Sequence, residues 1–365
     1  MTAPASAQVL QYAGLRPRFE LQVFPRARLA RWVAGAHTPP FPARADAHRK
    51  LSRLTSSTPT PAVTAAWVRD FVALGAIWGS SFLFIRLAVG DFGPLATTAL
   101  RVGIGAAFLL PVLLWRSDKR LLRQHWRALL VVGVLSSALP FALYAYALTF
   151  ITTGLSAILN ATTPMFAALV AWIWLRDGLG VWRSLGLALG FAGVIVLAWD
   201  QASFKATGGM GPLWAVLACL GACMSYAVAA SYTRLHLSQV PPLVTATGSQ
   251  IGASAALALP AALTWPTQAP SATAWLAVLV VGVVCTGLAY LLFYRLIARG
   301  SPSRTMTVGY LIPLFAVVYG VLLLDEHLTP AMMTGGLVIL LGTALASGLL
   351  TPKAATRPAR SQPKP

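Results

Sequence analysis

From Trp67 to Leu350 the chain is a succession of long apolar runs, and this limits its fold more than any other feature. A helix needs about 20 mainly apolar residues to cross a bilayer. Ten candidate spans of that order follow one another, at 70–89, 94–115, 127–148, 152–175, 182–199, 211–233, 241–263, 274–297, 302–324 and 331–350. Some connections are very short, such as "TFIT" at 149–152, which predicts closely packed antiparallel neighbours. Charge supports the reading: 10% of the 365 residues are charged and 57% are hydrophobic, whereas a soluble domain carries roughly 25% charged residues. Such a chain cannot clothe a globule in polar side chains. The expected fold class is all-α, a polytopic membrane protein.

The formal charge of +19 raises the question of a nucleic-acid partner, and its distribution answers it. The basic residues form no stripe interleaved with aromatics. They gather in the 2–3 connection (Arg116, Lys119, Arg120, Arg123, Arg127), the 4–5 connection (Arg176, Arg183), Arg234, the 8–9 region (Arg295, Arg299, Arg304) and the tail (Lys353, Arg357, Arg360, Lys364). With ten spans these segments share one side. The other side carries Lys205 with Asp91, Asp200, Asp325 and Glu326. An excess of Lys and Arg marks the cytoplasmic face, so both termini are predicted to be cytoplasmic, in an inner or plasma membrane, with no nucleic-acid partner.

Residues 1–62 differ from the rest, with "RPRFELQVFPRARLARW" and "PARADAHRKLSR". No apolar stretch of the secretory kind interrupts them, and their Arg-rich, acid-poor character is like that of a transit peptide. The expectation is a disordered basic arm or an over-extended start; 351–365 is expected to be a disordered basic tail. Cys219, Cys223 and Cys285 lie inside apolar runs with no histidine beside them, so they read as small packing residues, with no metal site and no cofactor.

Two of the runs carry one text. "NATTPMFAALVAWIWLRD" (160–177) returns 149 residues later as "GYLIPLFAVVYGVLLLDE" (309–326). Between 164–197 and 313–346 seven of 34 positions are identical without gaps: Pro164/Pro313, Phe166/Phe315, Ala167/Ala316, Leu175/Leu324, Leu179/Leu328, Gly186/Gly335 and Gly193/Gly342. Spans 1–5 and 6–10 therefore read as two copies of one unit, 67–199 and 211–350. A unit with an odd number of spans, repeated in tandem, enters the membrane from opposite sides. Inverted repeats of this kind are used by many secondary transporters, whose substrates bind where corresponding helices are broken. Pro164 and Pro313 each remove a backbone donor and bend a helix. They are expected to be helix-break hinges, their freed carbonyls facing a polar cavity.

"WGSSFLFIRLAV" (78–89), "TTGLSAILNATTPMFAALVAWIWLRDGL" and "SPSRTMTVGYLIPLFAVVYGVLLLDEHL" resemble the spans of EamA-type transporters of the drug/metabolite transporter superfamily. The resemblance covers about 67–350. It implies ten helices in two inverted five-helix repeats and export of small metabolites. Arg86 stands where the family often has Lys, and Arg176-Asp177 where its first repeat usually ends in Gly-Glu.

Polar groups within membrane helices are costly and therefore informative. Thr152, Ser156, Asn160 and Thr163 fall on one face of span 4; Thr305 belongs to the corresponding part of span 9. Asn160 reads equally as interhelical glue or as a cavity residue. Arg101 lies within span 2 and Gln250 at its counterpart within span 7. Snorkelling to the outer interface and attraction of an anionic or zwitterionic substrate both account for Arg101. Trp78, Tyr144, Tyr226, Tyr290, Tyr294 and Tyr310 lie inside spans instead of at their rims; an interior tyrosine needs a hydroxyl partner, which makes each a candidate cavity lining. The GxxxG pairs Gly75/Gly79, Gly186/Gly190 and Gly248/Gly252 read as close helix packing.

The expected function is a secondary transporter that exports small polar metabolites, amino acids or similar solutes, by alternating access. Its expected partners are the bilayer and a small-molecule substrate. The alternative is a facilitator, or a transporter of lipid-linked or drug-like substrates. An intramembrane enzyme would need a nucleophile with a base at matching depth, and no intramembrane His or Asp is read from the spans. Proton relays use such groups, so proton coupling is compatible with the resemblance but has no evident relay residue.

Overall fold

A computed structural model describes residues 64–115, 119–203, 210–300 and 302–350. The readings of 1–62 and 351–365 lie outside these residues. All secondary structure among the described residues is helical.

The chain opens with α1 (Ala65–Trp115), two helical segments meeting at Gly93, whose φ of 71° and ψ of 170° suit a residue without Cβ. Then come α2 (Lys119–Gln124) and α3 (Trp126–Gly133). A π-helical turn, Val134–Ala138, joins α3 to α4 (Leu139–Ala147). Span 4 is broken as its proline suggests, into α5 (Thr153–Asn160) and α6 (Thr163–Leu175), and is followed by α7 (Val181–Ser203). The second half contains α8 (Gly211–His236), α9 (Pro242–Leu263) and α10 (Ala272–Gly282). A second π-helical turn, Val283–Leu288, leads into α11 (Ala289–Arg299). Span 9 is divided into α12 (Pro302–Met306), a 3₁₀ turn (Thr307–Tyr310) and α13 (Ile312–Leu324), and α14 (Pro330–Ala346) closes the fold.

Seven helical stretches among the described residues are long and apolar enough to cross a membrane, the 51-residue α1 being one of them; α14 is apolar but shorter. Their outward faces bear Leu, Ile, Val and Trp, with Leu322 and Leu323 72% and 62% exposed. Apolar surface on that scale belongs against lipid.

The 149-residue offset recurs in backbone detail. α6 and α13 are both 13 residues long, and each has its proline in the first turn. Both end on a left-handed residue, Arg176 (φ 56°) and Asp325 (φ 52°). The next N–H in each case reaches back six residues, Asp177 to the Ala171 carbonyl at 3.2 Å and Glu326 to that of Gly320 at 3.0 Å. A left-handed non-glycine residue closes each helix, and the bond reaches one carbonyl further back than in a Schellman stop. The two π-helical turns begin at Val134 and Val283, again 149 apart.

The most extensive helix pair is α7 against α14. A Cβ on Gly186 would lie 2.7 Å from the Gly342 carbonyl, and one on Gly193 would lie 3.0 Å from that of Gly335. The two helices thus run antiparallel, backbone against backbone. Gly186 corresponds to Gly335 and Gly193 to Gly342, so exchanging the halves turns one contact into the other. The other GxxxG pairs are also close crossings: Gly75 meets Leu311, just before α13, and Gly79 meets Phe315 of α13, while Gly248 and Gly252 meet α3 at Leu129 and Leu130.

Candidate functional site

The structure brings Arg101, Gln250, Tyr226 and Tyr290 together, and the π-helical turns supply their partners. A π turn inserts one residue into a helix and turns the neighbouring side chains out of register. Its loosened carbonyls are satisfied by hydroxyls: Ser225 donates to Leu135 O at 2.6 Å, and Thr286 donates to Val281 O at 2.9 Å. Thr286 Oγ1 in turn accepts from Arg101 Nε at 3.2 Å. At the equivalent place in the other half, Gln250 Nε2 donates to Ser137 Oγ at 2.9 Å. Arg101 and Gln250 are 149 residues apart, and so are Ser137 and Thr286. One hydrogen bond is therefore made twice, each time from one half of the chain to the π turn of the other.

Arg101 does not snorkel. It is only 7% exposed, and its guanidinium carbon stands 3.6 Å above the centre of the Phe141 ring, a cation–π contact of the desolvated kind. Tyr226, Cys285 and Tyr290 lie within electrostatic range of it, and Tyr290 also interacts with Ser137. Tyr290 occupies in its half the position that Phe141 occupies in the other. Gln250 is completely buried, and its Oε1 has no hydrogen-bond partner.

A second group surrounds the break in span 4. The Tyr144 hydroxyl donates to Asn160 Oδ1 at 2.9 Å and lies 3.2 Å from Cys223 Sγ. Ser156 Oγ is 3.5 Å from Cys219 Sγ. Tyr144 stacks with Tyr226 at 6.4 Å, and Tyr226 meets Phe141 edge-on at 6.5 Å, which makes the two groups continuous. Tyr226, Tyr290, Tyr294 and Asn160 keep partial exposure despite these interior neighbours.

The break itself departs from the sequence expectation. Pro164 and Pro313 restart helices and do not bend continuous ones. Nor do the carbonyls released in span 4 face an open chamber. Leu159 O accepts the Thr162 hydroxyl at 2.7 Å, Asn160 O accepts the Thr163 hydroxyl at 2.7 Å, and the Cys223 thiol donates to Leu159 O at 3.4 Å. Short hydroxyl side chains close the gap locally because they reach back to their own turn.

Tyr294 joins the first group, and the remaining candidates make contacts of their own. The Tyr310 hydroxyl lies 3.0 Å from Ser347 Oγ in an exposed setting. Trp78 packs against Phe293 at 5.4 Å, and Tyr294 stacks on Tyr290 at 6.1 Å. Thr305 is buried in α12. Sequence reasoning missed Ser137, Thr286, Phe141 and Cys223. The first two were within reach of it: the offset that pairs Arg101 with Gln250 also pairs these two hydroxyls.

Two clefts lie between helices near this region, and both are apolar. One, of about 520 Å³, is lined by Ala99, Gly103 and Ala107 of α1 and by Ser254, Ala258 and Trp265 from α9 onward. The other, of about 390 Å³, lies beside Gly93, Leu143 and Tyr146. Among the described residues no group of three His, Cys, Asp or Glu could hold a metal ion.

Comparison with known proteins adds a family. The pattern described as "EamA-like transporter family" matches the chain twice, at 67–199 and 213–348. The uncharacterized transporter YvbV of Bacillus subtilis is 29% identical over 277 residues, covering 74% of this chain and 88% of the relative. The uncharacterized transporter YoaV of the same organism is 23% identical over 286 residues, covering 74% of this chain and 93% of the relative. A WAT1-related chloroplastic protein of Arabidopsis thaliana is 23% identical over 283 residues, covering 74% and 66%. One crystal structure, 22% identical, shares the fold with a TM-score of 0.56 over 78% of this chain and 97% of the other.

Proposed function

The chain belongs to the EamA-like transporter family of the drug/metabolite transporter superfamily, and from that premise we propose that it is a secondary transporter exporting small polar metabolites by alternating access. Ten crossings serve this reading: the two arms of α1, the α3–α4, α5–α6, α8, α9, α10–α11 and α12–α13 stretches, α7 and α14. They form two inverted five-helix repeats, 67–199 and 211–350, with both termini cytoplasmic.

One observation carries the proposal. The bonds Arg101–Thr286 and Gln250–Ser137 join equivalent positions of the two halves. Two units that contact each other through equivalent residues can exchange conformations around the point where those contacts meet. Alternating access through inverted repeats needs this property. The antiparallel α7–α14 crossing has the same reciprocity.

The substrate site is placed between the π-helical turns, lined by Arg101, Gln250, Tyr226, Tyr290, Tyr144 and Asn160. Amino acids or similarly small polar solutes suit a lining of one cation, two amides and several hydroxyls. The apolar cleft at Ala99 and Ala258 favours a second reading, a lipid-linked or drug-like substrate entering from the side. Counterflow in proteoliposomes with polar metabolites and amphiphilic solutes as separate arms tests both. Flux confined to amphiphiles would overturn the first reading, and no flux in either arm would overturn transport. An imposed pH gradient in the same vesicles reads proton coupling.

A further inference from the structure

Arg101 is a buried cation that no carboxylate among the described residues neutralises: none lies within ion-pairing distance of it. The acids whose side chains are described are engaged or exposed: Asp70 with Arg69, Arg295 and Arg299; Asp177 with Arg234; Asp91 with the Ser271 N–H; Glu326 with Thr153; Asp325 exposed. Among the described residues, Nε alone of the guanidinium has a hydrogen-bond partner, Thr286. The two terminal nitrogens carry four further N–H donors in a planar fork, the geometry that takes a carboxylate by two parallel bonds.

The equivalent position in the other half holds the opposite need. Gln250 spends Nε2 on Ser137 and leaves Oε1, a strong acceptor, buried without a donor. A buried polar atom in that state is uncommon and calls for an explanation. The two groups are linked through one wall of side chains: Tyr290 interacts with both Arg101 and Ser137, and Ser137 holds Gln250. The terminal torsion of a glutamine is soft, so the amide can turn its oxygen without disturbing the helix.

We infer that this site takes a monocarboxylate bearing a hydrogen-bond donor on the neighbouring carbon, an α-amino or α-hydroxy acid. The carboxylate is held by the Arg101 fork and the α-substituent donates to Gln250 Oε1. The pseudo-symmetric frame supplies two similar anchors, and the Arg/Gln difference between them orients the ligand. A single cation balances one negative charge, so dianions and phosphate esters fit poorly. Uncharged esters and simple amines leave the guanidinium without its counterion.

This rests on the transport reading above, and the test separates the two. The full chain in proteoliposomes is assayed by counterflow with lactate, alanine, their methyl esters, propionate and ethylamine. Lactate or alanine is expected to be taken roughly tenfold or more better than its ester, the scale of a lost hydrogen bond to a charged group, and better than propionate by about the scale of a buried acceptor left unpaired. The two α-substituents distinguish the amino from the hydroxy class. In Arg101→Gln the preference of acid over ester collapses, while Arg101→Lys keeps part of it. In Gln250→Leu the preference over propionate collapses and that over the ester survives. Should a variant fail to fold, the panel on the unsubstituted protein decides alone. Ethylamine or the esters carried as well as the acids would overturn this inference and leave transport standing. Flux of none of the six solutes, with amphiphilic solutes still carried, would equally overturn the inference alone; no flux of any solute would remove both readings.

Discussion

The carboxylate of Glu326 accepts two hydrogen bonds from Thr153, one from its backbone N–H and one from its hydroxyl, each at 2.8 Å. The Gly154 N–H adds a third at 3.3 Å. Glu326 follows the left-handed stop of α13, and Thr153 is the first residue of α5. A carboxylate at a helix N-terminus satisfies amides that have no partner inside the helix and lies at the positive end of its dipole. The acidic end of the second repeat thereby fastens the first half of the broken span 4.

Replacing Glu326 by Ala is therefore expected to destabilise the protein, because two buried amides and a hydroxyl lose their acceptor. The cost of leaving such groups unpaired is about 1–3 kcal/mol. Glu326→Gln keeps one acceptor oxygen and should lie between Ala and the native residue. Melting of the detergent-purified protein reads the order Glu, Gln, Ala; equal midpoints for all three would remove the role given to this contact.

How far the sequence foretold this arrangement follows from what each feature depends on. The broken spans were legible because the same proline recurs at the 149-residue offset; a lone proline marks no break, since Pro111 and Pro260 lie inside helices that continue through them. The close crossings were legible because only glycine admits a backbone at such range. The π-helical turns were not. "VLSSA" and "VVCTGL" share little beyond their first residue, and a π turn is set by what packs around it. Depth was also hidden. Tyr144 and Tyr310 read alike along the chain, yet one hydroxyl is bonded to Asn160 in the interior and the other lies beside Ser347 at an exposed position. The carbonyls beside Pro164 were expected to face a cavity, but threonines and a cysteine next to the break occupy them.

The crossing of α7 and α14 gives a test of reciprocity. A Cβ at Gly193 meets Gly335 O at 3.0 Å, and one at Gly335 meets Gly193 O at 3.3 Å. Gly193→Ala and Gly335→Ala strain the same approach, so once one has pushed the helices apart the second should cost less. Melting midpoints of both single variants and the double variant should show a loss smaller than the sum, the mark of sites that share a contact. Strict additivity would mean that the helices do not approach here as described.

The two equivalent hydrogen bonds should differ in weight, since one holds a charge. Thr286→Val removes the acceptor of Arg101 Nε, and Ser137→Ala removes that of Gln250 Nε2. Hydrogen bonds to charged groups are worth about 1.5–3 kcal/mol against about 0.5–1.5 for neutral ones. Thr286→Val is expected to be the more damaging, in melting and in the substrate concentration for half-maximal flux, and Thr286→Ser to restore both. If Ser137→Ala proved the worse of the two, Arg101 would draw its support from elsewhere.

The proposed inversion of the repeats makes the firmest demand on topology. Gly178 and His327 are exposed, 149 residues apart, and lie just beyond the stops of α6 and α13. The proposed inversion would end them on opposite faces of the membrane, Gly178 inside and His327 outside. The native thiols Cys219, Cys223 and Cys285 are buried, so the background for an impermeant maleimide is low. Nothing lies near the position of an added Cβ at Gly178, and its φ lies outside the left-handed range, so a cysteine fits there. In intact cells His327→Cys is expected to be labelled and Gly178→Cys to be protected until the membrane is opened. Labelling of both from one side would mean an even number of crossings between them. The two halves would then be parallel, and exchange of inward-open and outward-open states by the symmetry of the repeats would no longer follow.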